Sequence, residues 1–169
     1  MPEGLPQHWA YERHPSLLTT PGECRAMMVR ELMSGGVITV GRRTPVVEAR
    51  DLMARERIRH LPVTDGGGAV LGIITDRDIR LSLPSQATTL SVWELNYLLT
   101  KLTVDEVMNK PVITIGPDRP AREAARLMLD HKIGALPVLD ESHLIGIITE
   151  TDIVRAFVHL TAPMPLGRY

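Results

Sequence analysis

The chain has 169 residues, with 19 Lys and Arg against 20 Asp and Glu, so its formal net charge at neutral pH is −1. That balance lacks the basic excess that nucleic acid or an anionic membrane would demand, and the aromatic residues (Trp 2, Tyr 3, Phe 1) are too few for a base-stacking platform. The single cysteine, Cys24, excludes an intramolecular disulfide and a Cys-based zinc site within one chain, which fits a reducing compartment.

Residues 1–27 carry Pro2, Pro6, Pro15 and Pro21 without a period and are expected to form a flexible tail with no apolar stretch of signal-peptide length. No run of about 18 apolar residues occurs, so the sequence reads as soluble and cytoplasmic. After a short helical turn from Val29, the β-branched run Val37-Ile38-Thr39-Val40, bounded by glycines, predicts a buried strand. Thr44-Pro45 predicts a helix start, with Thr as cap and Pro at the first helical position; Val46, Ala49, Leu52 and Met53 give that helix its apolar face. Leu61-Pro62-Val63 predicts a second strand, and Asp65-Gly66-Gly67-Gly68 turns the chain into a third, from Val70 to Ile74. Thr75 then caps a helix that stops near Pro84. Residues 84–102 predict a connecting helix, with Ser91-Val92-Trp93-Glu94 as its capping box and Val92, Leu95, Leu98, Leu99 and Leu102 on one stripe.

From there the pattern begins again. Thr103 and Glu106 make a second capping box, Met108 answers Met33, and Val112-Ile113-Thr114 answers Val37-Ile38-Thr39. Leu136-Pro137-Val138 answers Leu61-Pro62-Val63, and Gly146-Ile147-Ile148-Thr149-Glu150-Thr151-Asp152-Ile153 answers Gly72-Ile73-Ile74-Thr75-Asp76-Arg77-Asp78-Ile79. The one change in spacing falls where Gly66-Gly67-Gly68 is a residue longer than Glu141-Ser142, inside a turn. The chain is therefore read as two repeats of strand, helix, strand, strand, helix, at residues 28–83 and 103–160, followed by a tail at 161–169. Halves of about 55 to 60 residues are marginal alone, and the expectation is that they share one core.

A tandem β-α-β-β-α repeat with these Val-Ile-Thr, Leu-Pro-Val and Gly-Ile-Ile-Thr-x-x-Asp-Ile motifs closely resembles the CBS-domain pair, named after cystathionine β-synthase. The resemblance spans roughly residues 28–160. It implies an α/β (α+β) fold in which the repeats pack through their sheets, leaving two clefts, and modules that commonly pair into a flat disc, hence a homodimer. The clefts of the family commonly bind adenosine-containing ligands such as AMP, ATP or S-adenosylmethionine and so regulate an associated protein. Carried over by position, Asp78 and Asp152 become the ribose-binding acids, and Thr75 and Thr149 lie near the ribose or phosphate. Ile38, Thr39, Ile113 and Thr114 fall on the adenine side, with Ala135 beside it. Arg59, His60 and Arg77 in the first repeat offer cations to phosphates where the second has Gly134, Ala135 and Thr151. Lys132, matching Arg57, adds another.

Two readings of the central motif stay open at this level. Thr-x-x-Asp is also close to a capping box, so both copies could serve only to finish a helix end, and the chain would then be a ligand-free oligomerisation scaffold. An enzyme reading has little to stand on. The chain is too short for a TIM barrel, its histidines show no ligand spacing, and Gly66-Gly67-Gly68 lacks the Lys-Ser/Thr of a phosphate loop. Asp76 with Asp78, two apart on one helix, do not face each other. The expectation is a stand-alone, non-catalytic pair with an adenosyl ligand and no required cofactor or metal.

Overall fold

The computed structural model describes residues 27–82 and 101–160. Nearly all of the expected N-terminal tail, most of the connecting helix and the C-terminal tail lie outside the described residues. The first half contains α1 (Val29–Leu32), β1 (Val40–Gly41), α2 (Val46–Glu56), β2 (His60–Thr64), β3 (Val70–Thr75) and α3 (Asp76–Ser82). The second contains α4 (Val104–Val107), α5 (Ala121–His131), β4 (Ala135–Asp140), β5 (His143–Thr149) and α6 (Glu150–Leu160). Antiparallel hairpins dominate both halves: β2 pairs with β3 from His60↔Thr75 to Thr64↔Val70, and β4 with β5 from Ala135↔Thr149 to Asp140↔His143. Both hairpins shift register at the same place, after Val63 and after Val138.

The expected first strand of each repeat is much shorter than Val37-Ile38-Thr39-Val40 suggested. Only Val40 and Gly41 pair, in parallel with Val63 and Thr64, and in the second half a lone bridge joins Ile115 to Val138. The cause lies in the Leu-Pro-Val motif. Around Ile115 the rungs run from its N–H to the Pro137 carbonyl (3.1 Å) and from the Leu139 N–H to its carbonyl (2.9 Å). The next rung would need Pro137 to donate to the Ile113 carbonyl, and proline has no N–H. Pro62 stops β1 in the same way.

A second correction concerns the helix starts. Pro45 and Pro120 occupy the cap position itself, without a side-chain cap bond, and the helices begin at Val46 and Ala121. Backbone just ahead of the other repeat replaces the side-chain cap. The Val46 N–H donates to the Leu102 carbonyl (2.9 Å) and the Ala121 N–H to the Met27 carbonyl (2.8 Å), so these orphan donors are satisfied before Thr44 is needed.

These crossings reorganise the interior. In place of one shared core there are two, each closed by the opening helix of the other repeat. Val104 and Met108 join Val46, Met53, Leu61, Val63, Ile74 and Ile79, whereas Val29 joins Ala124, Met128, Leu136, Val138 and Ile148. Beyond each short helix the chain pairs crosswise, Ser34 with Ile147 and Asn109 with Ile73. The glycine of each Gly-Ile-Ile-Thr motif makes this approach feasible: a Cβ on Gly72 would lie 2.5 Å from Met108 Sδ, and one on Gly146 would lie 2.6 Å from Met33 Sδ. No helix among the described residues is long and apolar enough to cross a membrane.

Candidate functional site

Thr75 ends β3 and opens α3, and with Asp78 it makes a reciprocal cap. Its hydroxyl oxygen accepts from the Asp78 N–H at 3.1 Å, while Asp78 Oδ2 accepts from the Thr75 N–H at 2.9 Å and from the Thr75 hydroxyl at 2.6 Å. Thr149 and Asp152 repeat the arrangement at 3.4, 2.9 and 2.7 Å. Capping therefore operates in both copies, but it engages only one carboxylate oxygen of each acid. Asp78 Oδ2 takes a third donor, the Asn109 side-chain amide at 2.8 Å. Its Oδ1 has no partner among the described residues.

Asp78 lines a cleft of about 660 Å³ between the halves. The first half supplies Arg59, His60, Thr75, Arg77 and Asp78; the second supplies Asn109, Ile113, Lys132, Ile133, Gly134 and Ala135. Of the residues singled out in the sequence, Arg59, His60, Thr75, Arg77, Asp78, Ile113 and Ala135 thus come together. Thr39, Thr114, Ile38, Thr149 and Asp152 do not line this cleft. Neither the N–H nor the carbonyl of Ile113 is bonded among the described residues, the carbonyl because Pro137 has no N–H to give it. A residue with its own backbone donor and acceptor both free, in a cleft also lined by Ile133 and Ala135, suits the edge of a flat heterocycle.

Charge in the cleft is uneven. Arg80 is paired with Asp76 at 3.0 Å, whereas Arg59, Arg77 and Lys132 make no ion pair among the described residues. Lys132 lines the cleft from the C-cap of α5, in a left-handed conformation (φ 55°) that Arg57 shares after α2. Asp76 and Asp78 face separate partners and form no carboxylate pair. His60 crosses the boundary between halves, packing so closely on Gly134 that a Cβ there would lie 3.0 Å from its Nε2. Burial, then the positive charge of Arg59, pushes the His60 imidazole below its ordinary 6.5, against a smaller opposing pull from Asp78. The neutral imidazole is thereby favoured.

Two segments of the chain, residues 29–85 and 104–159, each match the CBS domain family model. The chain belongs to the CBS domain family, as a tandem pair. It is 34% identical to a CBS domain-containing protein of Dictyostelium discoideum over 140 residues, covering 82% of this chain and 97% of that protein. It is also 31% identical to the L-aspartate semialdehyde sulfurtransferase of Methanocaldococcus jannaschii, but it spans only 23% of that enzyme's length. Among solved structures, the CBS domain pair of protein MJ0100 in complex with 5′-methylthioadenosine and S-adenosyl-L-methionine is similar at TM-score 0.68 and 29% identity, over 80% of this chain and 99% of that one. CBSX2 in complex with AMP is similar at TM-score 0.65 and 28% identity, over 80% and 98%.

Within this CBS pair, Asn109 is, like Ile133 and Glu150, a cleft residue that the sequence did not disclose. It follows Met108 at the point where Ser34 follows Met33, and neither hydrophobic period nor motif marks it. Its role emerges only once the opening segment is seen to cross to β3, where its backbone bonds Ile73 (2.9 and 3.3 Å) and its side chain reaches Asp78.

Proposed function

We propose that this CBS pair is a non-catalytic regulatory module that binds an adenosine-containing ligand, an adenine nucleotide or S-adenosylmethionine, in the cleft between its halves. The observation that carries the reading is Asp78, whose Oδ1 has no protein partner among the described residues, lining one cleft with Ile113, whose backbone N–H and carbonyl are both free. Asp78 accepts from the ribose hydroxyls, and the Ile113 peptide and the Ile133 and Ala135 walls receive the adenine. Arg59, Arg77 and Lys132 take phosphate oxygens. Thr39, Ile38, Thr114, Thr149 and Asp152 belong to the counterpart site of the other half. Ligand complexes of the similar MJ0100 and CBSX2 pairs support the ligand class.

The wider role follows from the same arrangement. Because the ligand touches both halves, binding alters how they pack, and that change is the signal passed to a regulated partner in the cytoplasm. Val154 and Phe157, exposed along α6, support association of two copies as a homodimer. The complete capping boxes favour the rival scaffold reading, in which Thr75 and Asp78 only finish α3.

Thermal unfolding with AMP, ADP, ATP, S-adenosylmethionine and NADH, each at about 1 mM, separates the two. A ligand at a hundredfold over its Kd stabilises by about 2.7 kcal/mol, which raises Tm by roughly 5–10 °C in a chain of this size. The shift is expected with at least one adenosine compound and should vanish in Asp78→Ala, whose own loss of capping costs only about 1 kcal/mol. No shift with any of them leaves the scaffold.

A further inference from the structure

The two Thr-x-x-Asp junctions share one backbone design but not one electrostatic state. Asp78, which lines the cleft, spends Oδ2 on Thr75 and Asn109 and leaves Oδ1 without a partner among the described residues. Asp152 is only 9% exposed, and its second oxygen is taken by Arg155, whose Nη1 donates at 3.3 Å. The position matching Arg155 in the first half is Leu81, which is 73% exposed and has no donor to offer. The position matching Asn109 is Ser34, which makes no side-chain bond to Asp152 among the described residues. Around Asp78 stand the unpaired cations Arg59 and Arg77; around Asp152 the matching residues are Gly134 and Thr151.

Resting on the adenosyl reading above, we infer that the two sites are unequal: the chain takes one adenosine-containing ligand, at Asp78, and Arg155 acts as a built-in counter-ion that withholds Asp152 from ribose. A ribose approaching Asp152 would have to displace a guanidinium from a nearly buried carboxylate, replacing an ion pair with a hydrogen bond from an uncharged donor. At Asp78 nothing is displaced. Asn109 is the positioning residue of the working site, because its amide fixes Oδ2 and leaves Oδ1 as the oxygen open to ribose.

Isothermal titration of the full chain with AMP and with ATP tests this. One ligand per chain is expected in the natural sequence. Arg155→Leu, which gives the second half the residue of the first, should add a second binding event without weakening the first. Asn109→Ser should weaken the first event by roughly tenfold, the size of one hydrogen bond to a charged group. Circular dichroism confirms that each variant is folded. Two comparable events in the natural sequence, or one event persisting in Arg155→Leu, would overturn the assignment while leaving the adenosyl reading intact. No binding of either nucleotide, nor of S-adenosylmethionine, removes that reading and the assignment with it.

Discussion

His60 stands where the two halves, the cations and the free carboxylate meet, so its proton is coupled to both folding and binding. Burial and Arg59 depress its folded pKa below the ordinary 6.5, with Asp78 opposing and Glu150 nearby across Gly134. The unfolded chain therefore binds the proton first as pH falls. Its contribution to stability is complete above the unfolded value, declines as pH drops below about 6.5, and levels off once the folded imidazole is also protonated. Urea unfolding between pH 7.5 and about 5 should show this acid-side loss, and His60→Gln should flatten it. Phosphates in the cleft reverse the balance, because an anion favours imidazolium. Binding of AMP should then take up protons and tighten toward pH 6, measurable as heats that depend on buffer ionisation; proton release on binding would place the phosphate elsewhere. Gly72 belongs to the same scale. Ala there would push a methyl to 2.5 Å from Met108 Sδ and 3.0 Å from the Asn109 carbonyl. Gly72→Ala should cost about 1–3 kcal/mol in overpacking and, by shifting Asn109, should also weaken the ligand.

At the scale of elements, the helices were the most legible part of the sequence and the first strands the least. Of the apolar face read for α2, Val46, Ala49 and Met53 are buried and Leu52 is half-buried; the repeat carries the same face to α5, where Ala121, Ala124 and Met128 are buried. The Val-Ile-Thr runs carry β propensity but lack ladder partners, because Pro62 and Pro137 deny them an N–H. Propensity reports what a segment can do and says nothing of its neighbour. The same blindness hid Asn109 and placed the caps on Thr44 instead of on the crossing backbone. The site was legible where it follows a helix start, as at Thr75 and Asp78, and illegible where the other half supplies it. One consequence can be tested. Ala in place of Pro137 restores the missing donor, and the Ile113 carbonyl can then be drawn into the ladder at the expense of the heterocycle edge. Pro137→Ala should therefore weaken adenosine compounds while leaving the fold intact, seen as loss of the ligand-induced Tm shift at nearly unchanged unliganded Tm. An undiminished shift would mean that the Ile113 peptide does not hold the ligand.

For the molecule as a whole, the exchange of opening helices decides how it unfolds. Each core lacks a wall without the other repeat: Val104 and Met108 complete the first, and Val29 completes the second, with Val29 and Val104 fully buried. Separate small cores would ordinarily open one at a time. Here neither half can lose its hairpin without stripping α1 or α4 of its burial, and neither short helix can persist alone at 4 residues. The halves should therefore unfold as one cooperative unit, although no single core spans them. Val29→Ala provides the measurement, since it removes methyl groups from the second core while its chain position lies in the first repeat. It should cost about 1–3 kcal/mol. Hydrogen exchange by mass spectrometry should show that loss equally in β2–β3 and β4–β5, the hairpins of both halves. Loss confined to β4–β5 would mean that the halves open independently; the cleft between them would then be a contact of two separate domains, unable to convert ligand binding into a change felt by the whole chain.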